Sequence, residues 1–208
     1  MKLVVLGATG GTGLEIVRQA VDQRHHVTAF VRRPDRLNAF AHQIAIQQGE
    51  LLNATALAEV VRGQDAVLSA FGPRVPIARQ DANLLRDFAG ALTAAMQRAG
   101  VRRVVVISTA FLFKDAILPP AYLVGRLFFS GVVKDSCAME QIFTGSSLDW
   151  TIVRPPQLNE KPHTGKYRVR EAHLPAFGFN IPRADVADFF LKTVADSGSI
   201  RKVVGVCH

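Results

Sequence analysis

Two hydrophobic periods alternate along the chain, and their alternation predicts its elements. Leu3, Val4, Val5 and Leu6 form a short apolar run rich in β-branched residues, the pattern of a strand buried on both faces. Leu14, Ile16, Val17 and Val21 then recur at helical spacing, with Glu15, Arg18 and Gln19 between them. His26 to Val31 reads as a second strand and Gln43 to Gln47 as a third, Ala54 to Val61 as a helix, and Asp65 to Phe71 as a fourth strand. An amphipathic helix over Arg79 to Ala99 sets Leu84, Leu85, Phe88, Leu92 and Met96 on one face, and Arg103 to Ser108 follows as a fifth strand. Asp149 to Arg154 leads into the sixth. Gly165 to Val169, Phe179 to Ile181 and Lys202 to Val206 supply late strands, and the last helix is built on Ile181 to Ala187. Such β–α alternation with short loops predicts the α/β class: one domain over residues 1–208, a doubly wound parallel sheet with helices on both faces.

The first turn carries the first chemistry. Gly7, Gly10 and Gly13 stand at spacing three, between a buried strand and a helix. Gly7 lets the chain turn tightly, Gly10 and Gly11 leave no side chain before an incoming pyrophosphate, and Gly13 brings the helix close to the strand. The unpaired N–H groups of the helix's first turn then face the phosphates, and Thr9 and Thr12 add hydroxyl donors. A glycine triplet in this strand–turn–helix setting predicts dinucleotide binding, where a structural turn is the plainer alternative.

Composition narrows the partner. The chain has 208 residues, enough for one real core, and its 49% hydrophobic content is that of a globular domain. The net charge of +8 asks for an anionic partner, but the basic residues are spread along the chain without a run of four or more. A phosphorylated cofactor with an anionic substrate uses that charge, and nucleic acid is not expected as a partner. The stretch Ile117 to Val133 is broken by Pro119, Pro120, Gly125, Arg126 and Gly131, so no membrane span or association is expected; the first strand, from Lys2, is too short and too soon interrupted by glycine for an N-terminal signal to be expected. Cys137 and Cys207 are unpaired in motif and the six histidines lack ligand spacing, so neither a disulfide framework nor a metal is expected. A reducing cytoplasm is the expected compartment, and a monomer or homodimer the expected state.

Strand two ends in Arg32, with Arg33 and Arg36 behind it, where a dinucleotide's adenosine ribose should lie. An acidic residue there suits NAD, whereas a guanidinium fork matches the 2′-phosphate of NADP. NADP(H) is therefore the expected cofactor, with Arg32 the first choice and Arg36 supplementary. Glu50, with Leu51 beside it, follows strand three, where a carboxylate can accept from the exocyclic amine of an adenine, as an acidic residue does in similar dinucleotide-binding proteins, or else cap the helix opening near Asn53. Ala70, Phe71, Gly72 and Arg74 at the tip of strand four should pass along the cofactor. Ser108 and Thr109 end strand five, beyond the carboxyl ends of the strands where ligands sit. Loops near 109–133 and 155–180 should form the acceptor cleft. Phe111, Phe113 and Phe128 or Phe129 would give it an aromatic wall, while Trp150 reads as core.

The GATGGTG turn resembles that of the extended and atypical short-chain dehydrogenase/reductases, including NmrA-like proteins. VTAFVRRPDRL, QDAVLSAFG, AAMQRAGVRRVVVISTAFLF, LDWTIVRPPQL and HTGKYRV resemble, in the same order, the NADPH-dependent flavin reductase or biliverdin-IXβ reductase branch. The resemblance implies a serine beside the nicotinamide where Thr109 stands, and a histidine after the double proline where Pro155-Pro156 is followed by Gln157. Gln157 keeps hydrogen bonding but takes up no proton near neutral pH. Typical short-chain dehydrogenases add a Tyr-x-x-x-Lys, whereas Ser130 stands four residues before Lys134 here. Tyr122 and Tyr167 lie off that spacing, which counts against alcohol dehydrogenase, epimerase or dehydratase chemistry. The implied activity is hydride transfer from NADPH to a flavin, bilin or similar flat acceptor, with Thr109 and Ser108 as the catalytic pair. Ser108, Pro155 and Gln157 would also touch the cofactor, and Phe111, Phe113 and Gln157 the acceptor. The alternatives are a non-catalytic NmrA-like NADP(H) sensor and a quinone reductase.

Overall fold

In the computed structural model, which describes residues 1–72, 83–113 and 130–208, the opening apolar run forms β1 (Lys2–Leu6). Its Leu3 to Leu6 are wholly buried, because parallel strands lie on both sides of it. The glycine turn delivers the chain into α1 (Gly11–Asp22), and β2 (His26–Val31) returns beside β1. Then come β3 (Ala45–Gln48), α2 (Ala54–Val61), β4 (Ala66–Ser69), α3 (Leu84–Ala99) and β5 (Arg103–Ile107). The second half carries α4 (Ser130–Thr144), β6 (Asp149–Arg154), β7 (Gln157–Asn159), β8 (Arg168–Glu171), β9 (Asn180–Pro182), α5 (Arg183–Ala195) and β10 (Lys202–Cys207).

The large sheet runs β3-β2-β1-β4-β5-β6-β10-β8. Chain order reverses between β1 and β4, which opens a crevice at the carboxyl ends of those strands. Helices α1 and α5 pack on one face over Val5, Leu68 and Val105, with Phe190 of α5 in the same cluster. Helices α2, α3 and α4 cover the other over Val4 and Val67, with Phe88 of α3 and Phe143 of α4 in the same cluster. The doubly wound α/β architecture is thus the one the alternation predicts.

Two details differ from the expected all-parallel sheet. The edge strand β8 pairs antiparallel to β10, and β7 and β9 form a separate two-stranded parallel sheet beyond the main one. The late strand also begins at Arg168 rather than Gly165, because Asp185 captures the N–H groups of Thr164 and Gly165, each at 2.9 Å. Those two donors are spent before a ladder can use them.

Helix ends follow their chemistry. Asn53 caps α2 by accepting from Thr55 and Ala56 N–H, both at 3.1 Å, and Gly100 closes α3 in the left-handed conformation at φ +71°. The buried Asp135 of α4 reaches across to accept from Leu85 N–H at 2.8 Å and Arg86 N–H at 3.0 Å. That carboxylate supplies the cap which the Asn83 side chain does not.

Candidate cofactor site and acceptor cleft

The turn between β1 and α1 has no room for side chains at Gly7 and Gly13. Gly7 sits at φ +74°, and a Cβ there would meet the backbone of Ala70 and Phe71 at 2.8 Å. A Cβ on Gly13 would fall 2.1 Å from the Gly7 carbonyl oxygen. Gly10 N–H donates to that same oxygen at 2.9 Å and closes the turn. At the start of α1, Gly10 offers no side-chain cap, and the first turn holds no acidic residue. Among the described residues the positive end of the α1 dipole therefore has no acidic residue or side-chain cap within its own first turn, and these residues fit a dinucleotide's pyrophosphate. Ala70, Phe71 and the exposed Gly72 follow β4 beside this turn, with Phe71 braced on Phe88 at 4.8 Å between ring centroids.

Arg32, Arg33 and Arg36 are exposed together at the carboxyl end of β2. Arg36 donates to the Thr9 carbonyl at 2.7 Å, tying this basic loop to the glycine turn. Glu50 is exposed after β3, and Leu51 is buried beneath it. Since Asn53 caps α2 itself, the Glu50 carboxylate is left out of that cap. Arg74, Tyr122, Phe128 and Phe129 lie outside the described residues.

At the end of β5 the structure adds a network that the sequence does not announce. Ser108 donates its hydroxyl to Glu140 Oε1 at 2.5 Å. Arg154, at the end of β6, donates through Nε to the same oxygen at 2.9 Å and pairs with Oε2 as well. The guanidinium also lies 4.6 Å above the Phe113 ring. Glu140 and Arg154 have side chains only 8% and 15% exposed, so this is a largely desolvated ion pair. With its proton committed to Glu140, the Ser108 hydroxyl has only lone pairs left to offer. Phe113 turns inward, 3% exposed, among Ala110, Leu174 and Cys207. Thr109 accepts from Phe111 N–H at 3.3 Å, and among the described residues its own hydroxyl proton is given to no acceptor. Ala110 N–H donates to the Pro155 carbonyl at 3.1 Å, and Gln157 is exposed at the head of β7. Ser108, Thr109, Phe111 and Pro155 thus lie at the adjoining ends of β5 and β6, and Gln157 begins β7 two residues on. Phe177 and Phe179, which the sequence pattern does not single out for the cleft, are exposed on the loop leading into β9.

A second network holds the loop opposite. Asp185, wholly buried at the start of α5, accepts from Thr164 and Gly165 N–H and from the Thr164 hydroxyl, with His208 Nε2 at 2.9 Å. Burial by itself would raise its pKa, but those donors outweigh it and hold the carboxyl below its ordinary value. Tyr167 donates to Asp188 at 2.6 Å, and burial together with that carboxylate pushes its phenol well up. Its proton is engaged there rather than at the end of β5.

The topology and the glycine turn define a dinucleotide-binding α/β domain. The chain matches the model of the NAD(P)H-binding family over residues 7–197, and it belongs to that family. It is 31% identical over 215 residues to a chloroplastic protein of Arabidopsis thaliana, covering 99% of this chain and 76% of that one. Among solved structures it is similar to a short-chain dehydrogenase/reductase of Veillonella parvula in complex with NADP, with a TM-score of 0.82 and 20% identity over 100% of this chain and 94% of that one. It is equally similar to ChuY, an anaerobilin reductase of Escherichia coli, with a TM-score of 0.81 and 20% identity over 100% and 97% of the two chains. Among the described residues no helix is long and apolar enough to cross a membrane, and no cluster of metal ligands is present.

Proposed function

We propose that the protein is an NADPH-dependent reductase that delivers hydride to a flavin or a similarly flat conjugated acceptor. The observation that carries this reading is the commitment of the Ser108 proton to Glu140, beside a Thr109 hydroxyl that among the described residues donates to no acceptor. When bound, NADPH supplies hydride from nicotinamide C4, and a flavin accepts it at N5 with little acid help because its reduced N1 stays anionic. A site that orients rather than protonates is enough for that chemistry.

The residues divide the work. The turn from Gly7 to Gly13 holds the pyrophosphate, while Arg32, Arg33 and Arg36 face the 2′-phosphate. Ser108 accepts from the carboxamide of the nicotinamide ring. Thr109 donates to the acceptor, and Gln157 with Phe111 lines the cleft. A quinone differs only as the acceptor. The other reading, a redox sensor that binds NADP(H) without turning it over, is favoured by the same missing acid.

Steady-state NADPH oxidation with FMN, riboflavin and a simple quinone separates these readings, with NADH as the comparison. The expected result is turnover with a preference for NADPH that Arg32→Asp abolishes while turnover with NADH persists. Tight NADPH binding without turnover of any acceptor would establish the sensor and overturn the reductase.

A further inference from the structure

Arg183 lies where a cation should be repelled. Its side chain crosses the first turn of α1, so that a Cβ on Gly11 would meet Arg183 Cδ at 2.7 Å and Nε at 2.9 Å. Nη1 donates to the Thr12 hydroxyl at 3.3 Å. A helix N-terminus already carries partial positive charge, and this one has no acidic residue in its first turn to offset a guanidinium. The charge is offset instead from outside the turn, by Glu160, whose Oε1 lies 2.6 Å from Arg183 Nε. Glu160 is 77% exposed and directly follows β7, whereas Arg183 is 29% exposed. The partner is thus an accessible, solvated carboxylate on a cation held against the glycine turn.

We infer that Arg183 is a further anchor for the cofactor's pyrophosphate, and that Glu160 is a stand-in anion which the pyrophosphate displaces. The inference rests on the cofactor reading above. A diphosphate over the first turn of α1 would receive the helix N–H groups from one side and the guanidinium from the other, and charge-assisted bonds to Arg are among the stronger ones available. Glu160 competes for the same guanidinium, so cofactor entry exchanges one anion for another and releases a carboxylate. Arg183 serves the pyrophosphate, which NADH and NADPH share. Arg32 and Arg36 serve the 2′-phosphate, which only NADPH carries.

Titration of the intact protein with NADPH and with NADH, followed by nicotinamide fluorescence, tests this. Arg183→Gln should weaken both nucleotides alike, by about tenfold. Glu160→Gln keeps the side chain's shape without its charge and should tighten both by about two- to fivefold, the scale of an exposed ion pair. In the Arg183→Gln background, Glu160→Gln should change nothing further, because its partner is gone. Weakening of NADPH alone would move Arg183 to the 2′-phosphate and overturn the assignment. So would an unchanged affinity in Glu160→Gln, or a Glu160→Gln effect that persists without Arg183. If the unaltered protein binds neither nucleotide, the cofactor reading falls and this inference falls with it.

Discussion

Replacing Arg154 by Leu should destabilise the protein more than its position at a strand end suggests. Glu140 and Arg154 share two contacts in a setting where their side chains are 8% and 15% exposed. Removing the guanidinium leaves the Glu140 carboxylate with the Ser108 hydroxyl as its remaining side-chain partner among the described residues. Breaking a buried pair from one side costs about 3–5 kcal/mol, because a desolvated charge is left behind. Loss of the guanidinium over Phe113 adds roughly 0.5–1 kcal/mol. Against a domain stability of about 5–15 kcal/mol, that is a large fraction. Equilibrium unfolding in urea should show the midpoint falling by about 2 M with little change in slope. The diagnostic variant replaces both partners, Arg154→Leu with Glu140→Leu, and should recover most of the loss because no charge remains buried. Single substitutions costing under about 1 kcal/mol, or a double variant costing the sum of the singles, would refute the pairing argument.

Gly13→Ala should fail both as a fold element and as a ligand site, since its Cβ would meet the Gly7 carbonyl oxygen at 2.1 Å and that neighbour is backbone. A loss of roughly 3 kcal/mol or more in thermal unfolding, together with lost NADPH binding, is expected, and an unchanged melting temperature would contradict it. Asp185→Asn tests the loop anchor through pH. The folded carboxyl titrates below its ordinary value, so its stabilisation is present above that value and is lost as pH falls through the folded one. The stability gap between the native protein and Asp185→Asn should therefore be about 2 kcal/mol near neutral pH and shrink in acid, whereas a gap constant from about pH 7 to 3 in urea unfolding would refute the assignment.

Local signals carried most of the fold. The β-branched runs and the helical spacing from Ala54 to Val61 depend on neighbours in the chain, and α2 falls where that spacing places it. The glycine turn was legible for the same reason: a strand before it and a helix after it are nearby facts. Pairings across the fold were not legible. Glu140 stands 32 residues from Ser108 and 14 from Arg154, and only the adjacency of β5, β6 and α4 brings the three together. Read along its helix, Glu140 is one more polar residue among Met139 and Phe143. The three residues of β7 are too few for a period, so their pairing with β9 depends on where the chain returns. Arg183 was visible only as part of a helix start. Its lie across Gly11 follows from the packing of α5 on α1.

The most direct test of the central claim is a single anaerobic mixing experiment. The protein saturated with NADPH is mixed with FMN or riboflavin, and the visible absorbance of the flavin is followed. If the protein is a reductase, the flavin bleaches in step with loss of NADPH, and deuterium at the transferred C4 position of the nicotinamide slows that bleaching. If NADPH stays bound and the flavin keeps its colour, Ser108 and Thr109 hold a cofactor without using it, and the account of this site as a hydride-transfer centre is wrong.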